Sequence, residues 1–115
     1  LPIKQTEDIV NITQGYANFY GWTDVEPYEI VRVVSDKCIE IRAMKAERSS
    51  SWKPNWIPGG FSLVCLNNME QQWIVSIDTE APIIRARLHK DGKWYSKRGK
   101  HLLEYIPKKY YDFNF

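Results

Sequence analysis

The chain is short of the residues that carry most familiar chemistry. In 115 residues there are two cysteines and two histidines. Cys38 and Cys65 stand 27 positions apart, within Lys37-Cys38-Ile39 and Val64-Cys65-Leu66 and with no Cys-x-x-Cys spacing, which excludes a zinc ribbon and a disulfide framework. They read as two buried free thiols of a reducing compartment, and a disulfide would require their strands to be neighbours. Apolar runs last only a handful of residues, far below the roughly 20 that span a bilayer, and no charged-then-apolar leader opens the chain. The expectation is a soluble, cytoplasmic protein with no membrane partner. Glycine and proline number six each and charged residues make up 26%, which fits neither a collagen-like nor a disordered composition.

Signature motifs are equally scarce. No Gly-x4-Gly-Lys-Ser/Thr follows a strand, so ATP hydrolysis is not suggested, and no Ser or Cys sits in a nucleophile elbow. His89 and His101 are the only side chains poised near neutral pH. A small hydrolase or transferase built on either is the weakest reading of this sequence. Asp24 and Glu26 fit turn chemistry better than catalysis. No catalytic residue, metal site or cofactor is expected.

What the chain does have is apolar and aromatic mass. With 43% hydrophobic and 14% aromatic residues, residues 1–115 read as one domain able to bury a core without staples. Aromatic and β-branched residues come in short bursts between turn signals, with no sustained period of 3.6. Strands are expected at 16–22, 28–34, 38–45, 61–66, 72–77, 83–90, 93–97 and 102–106, with the tail 110–115 as a further docked strand. The fold class is therefore mainly β, a small single-domain barrel or strongly bent antiparallel sheet. At most one short N-terminal helix, capped by Thr6, is expected within 3–13, a segment that also reads as an edge strand. Residues 49–60 hold Pro54 and Pro58, which bar a central strand, and Trp52 and Trp56, which a flexible linker does not need. They read as an ordered loop or lid.

Charge is divided unevenly along the chain. Residues 1–40 carry a net charge of −4, residues 41–82 none, and residues 83–109 a net +7. That asymmetry suggests an anionic partner for the C-terminal third. Within it, Asp91-Gly92 predicts a two-residue type I′ hairpin with both residues at positive φ. His89 then faces Trp94, Leu88 faces Tyr95 and Arg85 faces Arg98. One face presents Arg85, Arg87, His89, Trp94, Ser96 and Arg98, and the other presents Ile84, Ala86, Leu88 and Tyr95 to a core. Guanidinium groups give paired donors to phosphate and a Trp ring gives a stacking surface. The same face also reads as a solvated strand whose Arg stems cover apolar surface. Five tryptophans exceed what so small a core needs, so Trp52 or Trp56 is expected to close over the ligand.

Three stretches together resemble a family of small uncharacterised bacteriophage and prophage proteins. They are Gly21-Trp22-Thr23-Asp24 with Tyr28-Glu29-Ile30-Val31-Arg32-Val33-Val34, then Trp52-Lys53-Pro54-Asn55-Trp56-Ile57-Pro58-Gly59-Gly60-Phe61, and the ending Tyr110-Tyr111-Asp112-Phe113-Asn114-Phe115. The likeness runs from about Gly15 onward. It departs after Asp24, where family members often carry Arg-His-Ala and this chain has Val25-Glu26-Pro27. The resemblance implies an origin and no mechanism. Small phage accessory proteins often act stoichiometrically, by sequestering a nucleotide or occluding a host protein.

The leading expectation is thus a non-catalytic binding protein that uses Arg85, Arg87, His89, Trp94 and Arg98, with Trp52 or Trp56, to hold a nucleotide or short nucleic acid. The alternative is an interaction module that modulates a host protein through its acidic N-terminal third and exposed aromatics. Sheet edges ending in Tyr and Phe also invite a homodimer.

Overall fold

The computed structural model of the chain describes residues 15–59, 62–65 and 68–113. The segment 3–13, read as helix or edge strand, lies outside the described residues. Eleven strands follow in order: β1 (Tyr16–Tyr20), β2 (Val25–Glu26), β3 (Tyr28–Ser35), β4 (Cys38–Ala43), β5 (Lys45–Arg48), β6 (Trp56–Gly59), β7 (Ser62–Cys65), β8 (Trp73–Ser76), β9 (Ile83–Leu88), β10 (Trp94–Ser96) and β11 (Gly99–Glu104). The helical content among the described residues is one 3-10 turn, Asn68–Glu70. None of these residues forms a helix long and apolar enough to cross a membrane.

Six strands close into an antiparallel barrel. Neighbours run β1, β3, β4, β9, β10, β11, and β11 returns to β1 through Tyr16 opposite Glu104 and Phe19 opposite His101. Closure leaves these strands without a free edge. Among the described residues, β2 pairs at the open end of this sheet, and two ribbons, one of β5 with β8 and one of β6 with β7, are inserted between β4 and β9. The molecule extends 50 by 28 by 25 Å.

Alternation decides which side chains fill the barrel. Ala17, Tyr28, Ile30, Ile39, Ile41, Ala86, Trp94 and Leu103 form the buried cluster, and Phe19, Val33, Ile84 and Leu88 pack against it. Each fully buried aliphatic or aromatic side chain contributes about 1.5–3 kcal/mol. Register shifts between β3 and β4 at Ile30/Arg32 and Val33/Ser35 mark irregularities that bend the hairpin around this core.

The strand expected over 38–45 breaks at Met44, whose N–H bonds to Pro27 O at 3.1 Å. The chain leaves the barrel there and starts β5. That strand was not anticipated, because the charges of Glu47 and Arg48 suit a ribbon as well as they suit a loop. The 49–60 segment is irregular only as far as Asn55, and Trp56–Gly59 is a strand paired with β7. Pro58 is tolerated because the ribbon has only two strands. Residues 110–113 of the tail form no strand and pair through the bridge between Val25 and Tyr110. Residues 114–115 lie outside the described residues. Cys38 and Cys65 are both buried, one in the barrel and one in the β6–β7 ribbon.

Candidate anion-binding face

The hairpin joining β9 and β10 differs from its expected form by one residue. His89 N–H donates to Lys93 O at 2.9 Å, and Gly92 N–H donates to His89 O at 3.0 Å. The loop is therefore Lys90-Asp91-Gly92, and only Gly92, at φ 79°, is left-handed, while Asp91 is not. This is a three-residue loop closing on a glycine bulge. The Asp91 carboxylate locks it, accepting from Lys93 N–H at 2.9 Å and from the Tyr95 hydroxyl at 2.7 Å. These two bonds hold its pKa below the ordinary value.

A shift of one residue exchanges the faces of β10. Trp94 now stands opposite Leu88 and Tyr95 opposite Arg87. Trp94 is completely buried in the barrel, so its ring is not a stacking surface on the outer face of β10. Ser96 turns inward with it. The predicted meeting of Arg85 with Arg98 does not occur, since Arg85 is opposite Glu40 of β4.

What remains outside is still cationic and aromatic. Arg87, Tyr95 and Lys100 lie in one row across β9, β10 and β11. The His89 ring packs on Tyr95 with centroids 4.4 Å apart. A hollow of about 170 Å³ opens between Lys93 and Lys100, lined as well by Tyr20, Leu102 and the inward-facing Trp94 and His101. Along the face, Glu40 takes Arg32 at 3.0 Å and Arg85 at 3.4 Å. The Arg32 hydrogen bond, with further help from Arg85, keeps the Glu40 carboxyl below its usual range. Arg85 is thus partly neutralised, whereas Arg87 has no ion-pair partner among the described residues.

The other expected site residues lie elsewhere. Arg98 occupies the β10–β11 turn, where it pairs with Glu26 at 2.9 Å and stacks over Phe19 at 5.1 Å. Trp52 and Trp56 close on the chain's own tail rather than on the hairpin. Their ring partner is Phe113, at 5.7 and 6.0 Å, which also meets Tyr111 at 4.9 Å and the Arg48 guanidinium at 5.7 Å. A Trp lid over the hairpin is therefore not formed. Of the seven residues singled out from sequence, three come together, Arg85, Arg87 and His89. Tyr95 and Lys100 were missed as their companions. One signal was available: the largest apolar ring, Trp94, belongs on the side of Ile84, Ala86 and Leu88, and only a three-residue loop puts it there.

His101, the second histidine, is a core residue. Its Nδ1–H donates to Ala17 O at 2.8 Å, and the Ser96 hydroxyl donates to Nε2 at 2.6 Å. Burial pushes its pKa down, so the ring is neutral and both nitrogens are engaged. Phe19 and Tyr28 cover it at 5.6 and 5.1 Å.

Comparison with family models, with curated proteins and with solved structures finds no match for the chain.

Proposed function

We propose that this chain is a non-catalytic binding protein that holds a nucleotide or a short single-stranded nucleic acid on the outer face of β9, β10 and β11. The observation that carries the reading is the row Arg87, Tyr95, Lys100, in which an aromatic ring stands between two cations. A base stacked on such a ring contributes about 1–3 kcal/mol, and the flanking cations neutralise phosphates. The hollow between Lys93 and Lys100 has an apolar floor for a second ring.

Fluorescence anisotropy of a labelled oligothymidylate across a salt series tests this. Affinity should fall with salt, and Arg87→Ala and Lys100→Ala should each lower the log–log slope by about 0.7. Salt-independent affinity, or affinity untouched by both substitutions, would remove the outer face as the site.

One observation favours a second reading, a module that modulates a host protein. Trp22, at the tip of the β1–β2 turn, is 93% exposed, and exposed tryptophans are frequent anchors of protein interfaces. Under that reading Trp22→Ala abolishes partner binding and leaves oligonucleotide binding intact.

A further inference from the structure

The barrel has a second cavity, away from the outer face. A cleft of about 320 Å³ opens at the barrel end where β3 begins and β4 gives way to β5, lined by Glu26, Tyr28, Met44, Arg98 and Lys109 among others. Its polar groups are mostly donors. Arg98 gives one N–H group to Glu26 and keeps further guanidinium donors. Lys109 rests its ammonium on the Trp73 ring at 5.4 Å and has no ion-pair partner among the described residues. Two cations against one carboxylate leave the cleft with a net positive charge.

Tyr28 completes the set. It is only 5% exposed, and its ring is fixed edge-on against His101. Its hydroxyl feels the charges of both Arg98 and Glu26, which places it at the cleft, and no described residue is hydrogen-bonded to it. Burial raises its pKa, so at neutral pH it is an O–H donor. The hydroxyl oxygen is not among the buried side-chain atoms left without a partner, so the group is accessible and can donate to an acceptor oxygen in the cleft. Pro27, Ala43 and Met44 supply an apolar wall.

We propose that this cleft binds a small organic anion, its phosphate or carboxylate held by Arg98, Lys109 and the Tyr28 hydroxyl and its apolar body set against Met44. The site is separate from the outer face and does not depend on it.

The sequence contains two methionines, and they serve as internal reporters. Met44 lines the cleft, while Met69 is 83% exposed and does not line it. In methyl NMR of protein labelled with 13C at the methionine methyls, phenyl phosphate and benzoate are titrated, with benzyl alcohol as the uncharged control. At least one anion should shift the Met44 resonance saturably and leave Met69 in place, and which anion does so separates a phosphate from a carboxylate ligand. Lys109→Gln and Arg98→Gln should each weaken that binding about tenfold. Tyr28→Phe, which keeps the ring, should weaken it several-fold. No saturable shift of Met44 up to about 10 mM, equal shifts with benzyl alcohol, or affinity unchanged in Lys109→Gln and Tyr28→Phe would overturn the proposal. Arg87→Ala should leave the Met44 titration unaltered, which keeps this test apart from that of the outer face.

Discussion

Trp94 stands directly across the β9–β10 hairpin from Leu88, and that pairing decides which aromatic ring meets solvent. It sends the indole into the barrel and leaves the Tyr95 phenol on the cationic face. One glycine bulge at Gly92 produces the exchange, because the side-chain period of a strand is two.

The two neighbours should therefore respond oppositely to truncation. Trp94→Ala empties a fully buried site and should cost about 3–5 kcal/mol in urea unfolding. Tyr95→Ala removes the exposed hydroxyl bond to Asp91 and should cost about 1 kcal/mol, while weakening oligothymidylate binding by about 1–3 kcal/mol. If Trp94→Phe, a folded variant, loses affinity as much as Tyr95→Ala does, the assignment of faces is wrong.

His101 makes stability depend on pH. Burial holds its folded pKa below the ordinary 6.5, so near and below pH 6.5 the unfolded chain binds a proton that the native ring refuses. Its contribution is complete above about pH 6.5 and is lost as the pH falls through the folded pKa, at up to about 1.4 kcal/mol per pH unit. Urea midpoints at pH 5.5 and 7.5 should differ more in the parent than in His101→Gln. An identical pH slope in both would rule out His101 as the source.

Asn18 ties the segment after β11 to the barrel. Its amide donates to Ile106 O at 2.9 Å and to Glu104 Oε1 at 3.1 Å, and its carbonyl accepts from Lys108 N–H at 3.0 Å. Glu104, 1% exposed, would have a raised pKa from burial. Bonds from Lys108, Tyr20 and Asn18 outweigh that effect and hold it below the usual value. Asn18→Ala should cost about 2–3 kcal/mol, at roughly 1 kcal/mol per hydrogen bond, and should speed exchange of the Lys108 amide. Unchanged protection at Lys108 would show that the segment is held by other contacts.

Two glycines should differ in tolerance. Gly99 has φ 135°, and a Cβ there would lie 3.0 Å from Phe19 Cε1, whereas Gly92 has φ 79° and open space around it. Gly99→Ala combines strain with a clash and should exceed the cost of Gly92→Ala, itself about 1–2 kcal/mol. Thermal melts of the two variants rank them, and the reverse order would contradict the turn geometry.

Short bursts of aromatic and β-branched residues between turn signals were enough to read a mainly β chain, and alternation at Ile84, Ala86 and Leu88 was enough to choose the inner face of β9. Local composition also made 83–109 the cationic segment, because charge is a property of residues and not of their arrangement. Closure of six strands, the detour of β5 to β8, and the capture of Phe113 by Trp52 and Trp56 depend on contacts between distant residues, which no local pattern specifies. The hairpin lies between these cases. Asp91-Gly92 announced a turn, but a two-residue and a three-residue loop both accept that pair, and burial of Trp94 selected the second. The same long-range packing gathered Tyr28, Arg98 and Lys109 at one end of the barrel, though 70 and 81 positions separate the first from the others.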